Sequence, residues 1–201
     1  MRRRTVLLLI LASAGGSRLA QAGIDHKVPY DDSGIWNRSV QTALINGLIV
    51  AEVGGALWQG GEDRLGLTLW RSVDSTLVGA ASETALMYIF SRERSSQTDD
   101  PNRWFTGNGQ SFPSGEVTVT TAIVTPFILE YAHEHPAMYA LELIPLYDAI
   151  ARVKVHAHWQ TDVMAGWALG TATAYFMHER HSPLVLSIMP HGIQIGLKMQ
   201  F

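Results

Sequence analysis

Long apolar runs, each broken by an acid or an amide, set the limits on what this chain can fold into. Their periodicity predicts helices over 35–58, 65–90, 116–133, 138–153 and 158–178. Asn46, Glu52, Glu83, Glu130, Glu142 and Asp148 fall inside those runs. A helix facing lipid on all sides tolerates such residues poorly. A helical bundle in water turns them to its wet face or into a functional site. The expected fold is an all-α helical bundle, soluble or peripherally attached to a membrane. A length of 201 residues suits one domain. Gly60 and Gly61 break the first two helices apart, and Pro136 separates the third and fourth. Residues 91–112 read as a long polar loop, with turn signals at Asp99, Asp100 and Pro101 and at Gly107, Asn108 and Gly109. Loops of that length inside a compact domain often carry function.

The two ends read differently. Arg2, Arg3 and Arg4 open the chain, 5–14 is apolar, and Ala20-Gln21-Ala22 fits a small-x-small cleavage site. Residues 1–22 therefore read as a secretory signal peptide, with a mature helical domain over 23–201. The apolar run is too short to span a bilayer comfortably. The expected location is outside the cytoplasm, in a bacterial periplasm. Near the C-terminus Ile193, Ile195, Leu197, Met199 and Phe201 alternate with Gln194, Gly196, Lys198 and Gln200. That period of two predicts a strand, and 184–201 is expected to form a β-hairpin. There is no cysteine, which removes disulfides, thiolate metal sites and cysteine nucleophiles. Net charge is −3, so no basic surface points to nucleic acid.

Three segments carry residues suited to chemistry: "MYIFSRERSS" at 87–96, "FPSGE" at 112–116 and "ARVKVHAHWQTD" at 151–162. His158 and Asp162 are four apart and would share a helix face, where the carboxylate could accept the imidazole Nδ1–H and free Nε2. Arg152 lies upstream and could hold an oxyanion. Pro113, Ser114 and Gly115 form a turn into a helix N-terminus, whose N–H groups and Ser114 hydroxyl suit a phosphate oxygen. Taken singly, the His–Asp pair is better explained by a structural hydrogen bond, and Ser114 serves equally well as an N-cap. His156, two before His158, invites a metal reading, which competes with the role given to Asp162 as partner of His158.

Taken in order, the segments resemble the type 2 phosphatidic acid phosphatase (PAP2) superfamily, which includes bacterial class A acid phosphatases and vanadium haloperoxidases. That family's pattern is Lys-x6-Arg-Pro, Pro-Ser-Gly-His, then Ser-Arg-x5-His-x3-Asp. The match falls on Arg94, on Pro113, Ser114 and Gly115, and on Arg152, His158 and Asp162. Met87 replaces the family lysine, Ser95 the proline, Glu116 the second-motif histidine and Ala151 the serine. The resemblance implies an all-α fold, no metal and no cofactor. It also implies a phosphoryl-transfer mechanism in which His158 attacks phosphorus, oriented by Asp162. Arg94, Arg152, Ser114 and Gly115 would bind the phosphoryl group, and Glu116 would stand where the leaving-group acid belongs.

Those departures leave two functions open. The first is an exported phosphatase acting on a phosphate monoester or diphosphate, either a lipid phosphate or a small ester. In that case Arg92, Arg103 or Lys154 is expected to replace the missing cation. Burial and a bound phosphate would raise the Glu116 pKa, giving an acidic optimum. The second is a catalytically impaired scaffold that binds a partner in the envelope, with Glu116 ionised and paired to Arg94 or Arg152.

Overall fold

Capping residues set where the helices begin. Asn37 accepts the Ser39 N–H at 2.9 Å and opens α1, Arg38–Gln59. Asp63 accepts the Gly66 N–H at 2.7 Å and opens α2, Arg64–Phe90. Gly60 and Ser91, both at positive φ, end these two helices. Next come α3, Gly115–Tyr131; a 3₁₀ turn, Pro136–Glu142; α4, Leu143–Lys154; and α5, Gln160–His178. This computed structural model describes residues 23–180 and 183–185. The expected signal peptide lies outside them, as does the hairpin beyond Val185. Leu184 and Val185 themselves have helical backbone, and their N–H groups donate to the Asp74 carboxylate.

Two helix starts differ from the periodicity. The run expected from 138 begins as a 3₁₀ turn behind Pro136. The run expected from 158 begins as α5 at Gln160, because the Asp162 carboxylate caps the Trp159 N–H at 2.8 Å. His158 therefore stands in the loop ahead of the helix.

The central helix is α3. Along it pack α2 and α5, while α4, the 3₁₀ turn and α1 cover its remaining side. The α3–α5 crossing is tight enough to need glycine: a Cβ on Gly166 would lie 2.5 Å from the Ser114 carbonyl oxygen, and one on Gly170 2.5 Å from that of Thr118. Gly166→Ala gains about 1 kcal/mol of helix propensity. The clash with main chain outweighs that gain, so a net loss of roughly 1–2 kcal/mol is expected, the typical overpacking cost of 1–3 kcal/mol less the propensity. Urea denaturation checks it.

Three of the interrupting acids are not on the wet face. Glu52, Glu83 and Asp148 are buried. Glu52 accepts hydroxyl hydrogen bonds from Ser72 at 2.6 Å and Thr76 at 2.8 Å, and burial raises its pKa above the ordinary carboxylate value. On α1 the polarity is inverted: Gln41 and Glu52 are buried, while Val50, Leu57 and Trp58 are exposed. Among the described residues this is the one helix that by length and composition could cross a membrane, and little of it is covered by the rest of the bundle.

Candidate active site

An open cleft of about 270 Å³ lies where residues 30–32, the start of α1, the 91–112 loop and the end of α4 meet. Three guanidinium groups line it, those of Arg38, Arg94 and Arg152. Arg38 comes from the first turn of α1, Arg94 from the loop and Arg152 from the last turn of α4. Arg94 Nε donates to the Gln110 carbonyl at 3.2 Å. Gln41 Oε1 accepts from Arg152 Nη1 at 3.2 Å and from Arg38 Nη1 at 3.5 Å, tying those two together.

Glu116, in the first turn of α3, is held by these cations. Arg38 grips it with both ends of its fork, at 2.8 and 2.5 Å, and Arg152 Nη1 lies 3.4 Å from Oε2. Burial pushes the Glu116 pKa up, but Arg38, Arg152 and Arg94 together outweigh it, and the carboxyl sits below its ordinary value. With the arginines on it the carboxyl is thus shifted downward, the reverse of the direction expected with a phosphate bound. Glu116 is paired with Arg152, as one expectation had it, and chiefly with Arg38, which no expectation named. Two buried donors nearby, the Ser114 hydroxyl and Arg152 Nε, have no hydrogen-bond partner among the described residues. Buried donors left unpaired are costly, and an anion could satisfy them.

His158 is buried, 4% exposed, and is not itself among the residues lining the cleft, although its neighbour Ala157 is. Its Nδ1 lies 2.8 Å from the Ser111 carbonyl oxygen. A carbonyl only accepts, so Nδ1 carries the proton and Nε2 keeps its lone pair. Burial, then the field of Arg152 and Arg94, holds the ring well below its ordinary pKa, so it is neutral at pH 7. The Ser95 hydroxyl, in the place of the family proline, donates to the His158 carbonyl at 3.2 Å.

The expected direct His158–Asp162 bond is not made. With His158 ahead of α5, four-residue spacing no longer puts the two on one face. The Asp162 carboxylate instead accepts from Arg92 Nη1 at 2.5 Å, Ser111 Oγ at 2.5 Å and the Trp159 N–H at 2.8 Å. Its own carbonyl accepts the Ser114 N–H at 2.9 Å. Asp162 therefore fixes both the residue that orients His158 and the start of the Ser114–Gly115 turn. Burial pushes its pKa up to about 6, restrained by Arg92, Ser111 and the Trp159 N–H, so it is mostly ionised at neutral pH.

None of the three expected replacement cations lines the cleft. Arg92 is fully buried between Asp162 and Asp25, the latter at 2.6 Å. Arg103 pairs with Glu93 on the surface. Lys154 pairs with Asp31 at 3.4 Å and lies over the Trp36 ring. The additional cation is Arg38, 56 residues before Arg94 and attached to no motif, so nothing local in the sequence marks it. His156 Nε2 sits 2.7 Å from the Val28 carbonyl and its ring meets the edge of Tyr30.

Among protein families, the model described as the PAP2 superfamily matches residues 75–184, more than half of the chain and all three motif segments. That range excludes α1 and hence Arg38. No curated protein and no solved structure matches the chain.

Proposed function

Because the chain belongs to the PAP2 superfamily, we propose that it is a phosphatase that cleaves a phosphate monoester or diphosphate through a phosphohistidine. The observation that carries this reading is the convergence of three arginines on one cleft, with their field reaching a neutral, tautomer-fixed histidine next to the cleft residue Ala157. A phosphoryl group entering the cleft takes Arg38, Arg94 and Arg152 as its clamp. Such positioning and charge stabilisation is most of what phosphoryl transfer requires. His158 Nε2 forms a bond to phosphorus. The ester P–O bond breaks with its electron pair on the leaving oxygen, which takes a proton from Glu116. Water then attacks the phosphohistidine and releases inorganic phosphate.

Glu116 must give up Arg38 and Arg152 before the anion can use them, so entry exchanges an internal anion for an external one. That exchange favours a dianionic headgroup over a monoanionic carboxylate or phosphodiester. The uncovered apolar face of α1, which begins at the cleft with Arg38, supports a lipid phosphate among the substrates and peripheral contact with a membrane. The leader-like 1–22 supports export to the periplasm.

The deciding experiment measures phosphate release from p-nitrophenyl phosphate, a glycerolipid phosphate and a prenyl diphosphate between pH 4 and 8. Arg38→Ala should lower kcat/KM roughly 10²-fold, the usual cost of removing one donor to developing charge. Arg38→Lys should restore only part of it, since an ammonium cannot form the fork. Turnover unchanged in Arg38→Ala would remove Arg38 from the clamp. A second reading, a scaffold that binds phosphate without hydrolysing it, is favoured by the bidentate Arg38–Glu116 pair that fills the clamp. It predicts anion binding with no release from any of the three substrates, and release created by Glu116→His.

A further inference from the structure

Asp148 is a buried carboxyl that the mechanism above leaves unused. It is 2% exposed and lies on α4 one turn before Arg152. On the facing helix α3, Thr120 lies one turn after Glu116. Arg152 reaches Glu116 at 3.4 Å, and Thr120 Oγ1 reaches Asp148 Oδ2 at 3.5 Å. The two contacts are successive rungs between α3 and α4, so Asp148 lies one rung along from Glu116, near enough for the Glu116 charge to act on it. Asp148 makes no ion pair among the described residues, because Glu116 takes both arginines. Ionised, it would be a buried charge with a single long hydrogen bond, which is costly.

Given the phosphatase reading above, we propose that Asp148 and Glu116 form a carboxyl pair holding one proton, which rests on Asp148 in the empty cleft and passes to Glu116 when an anion takes the arginines. Asp148 is thus a positioning residue that loads the acid, and Glu116 is the group that touches the leaving oxygen. In the empty cleft the charges acting on Asp148 are Glu116 from α3, Arg152 from α4 and Arg38 from α1, with the Tyr147 phenol next to it in the chain. Burial, then the Glu116 charge, raises its pKa to about 7 against the pull of Arg152 and Arg38. When a phosphoryl dianion engages Arg38 and Arg152, Glu116 loses its cationic partners and gains a negative neighbour. Both changes raise its proton affinity. The proton moves from Asp148 Oδ to Glu116 Oε across a bridging water, and Asp148 is left anionic near the arginines. Glu116 passes that proton to the leaving oxygen as the P–O bond breaks. The water that cleaves the phosphohistidine returns one proton to the pair.

Sulfate provides the probe, since it is a dianion with no titrating proton near pH 6. Calorimetry at pH 6 in two buffers of different ionisation enthalpy counts protons taken up on binding. Wild type should take up close to none, because the proton moves within the pair. Asp148→Asn should draw close to one proton per sulfate from the buffer. Equal uptake in both proteins, whether none or one, overturns the pair. Failure of wild type to bind sulfate would instead overturn the anion site itself, and with it the phosphatase reading. Should Asp148→Asn not fold, ¹³C-carboxyl NMR of wild type replaces it: on adding sulfate the Asp148 resonance should move from the acid to the carboxylate position and that of Glu116 the opposite way. A static Asp148 resonance rejects the proposal. On the activity side, Asp148→Asn should slow an alkyl phosphate roughly 10–10²-fold, within the range for general acid catalysis. With p-nitrophenyl phosphate, whose leaving group needs no proton, the loss should be under threefold. The proton-bearing form of Asp148 is lost as pH rises through about 7, so wild-type kcat/KM should fall above that pH. That limb should be absent in Asp148→Asn, and equal slowing of both esters with an unchanged limb would show a purely structural role.

Discussion

His158→Ala abolishes phosphate release, lowering kcat/KM by roughly 10⁴-fold or more, on the scale of losing the nucleophile in other covalent enzymes. The size of the effect follows from where the ring sits. His158 is neutral, buried and held through Nδ1 by the Ser111 carbonyl, so no neighbouring side chain can take over its role without the loop moving. Its removal should leave the anion clamp largely intact, because Arg38 and Arg152 come from helices and Arg94 is held by the Gln110 carbonyl rather than by the ring. Sulfate affinity should therefore change less than tenfold while turnover vanishes. Rapid quench into alkaline detergent, in which a phosphohistidine survives, after mixing wild type with ³²P-labelled ester should trap label on protein, and His158→Ala should trap none. A variant that retains more than one-tenth of wild-type turnover would show that phosphorus is attacked by something else, most simply water.

Asp162→Ala lowers folding stability by roughly 3–5 kcal/mol, the usual consequence of removing one side of a buried ion pair. Arg92 and Asp162 are both fully shielded from solvent, so water cannot compensate the guanidinium left behind. Asp25 remains as a second partner and limits the loss. The Ser111 hydroxyl and the Trp159 N–H lose their acceptor in the same step, adding roughly 1 kcal/mol each where nothing replaces it. Asp162→Asn should cost less, because its carbonyl oxygen can still accept one of the three donors. Urea unfolding followed by circular dichroism checks the order wild type, Asn, Ala. An Asp162→Ala protein within 1 kcal/mol of wild type would contradict the role given to this carboxylate. The same variant should lose activity even where it remains folded, since Ser111 would no longer hold the His158 tautomer.

The helices could be read from the sequence because apolar periodicity and local caps such as Asn37 and Asp63 are written in consecutive residues. The motif residues could be read for the same reason, through their spacing. The pairing of His158 with Asp162 could not, because it assumed that α5 reaches back to 158. The acid at 162 caps the helix at Trp159 and ends it there. Arg38 escaped altogether: its place in the cleft is set by how α1 packs on the bundle, a long-range contact with no sequence spacing to betray it. The upward shift expected for Glu116 rests on burial and a bound phosphate; Arg38, which no motif marks, joins Arg152 and Arg94 in turning the shift downward. Asp148 is visible in the sequence as an acid within an apolar run, but its burial depends on the register between α3 and α4.

The segment ahead of α1 looks like a tail that protein engineers would trim. Its Asp25 carboxylate is buried on Arg92 and also accepts from the Thr161 N–H and hydroxyl, while Asp31 binds the main chain and side chain of Lys154. A shortened version that starts at Arg38 would strip a counter-ion from the interior and loosen the strap running past the mouth of the cleft. Loss of activity in such a truncation would then report a missing internal part, not a missing binding motif, and functional mapping by N-terminal deletion would mislead unless Asp25 were retained.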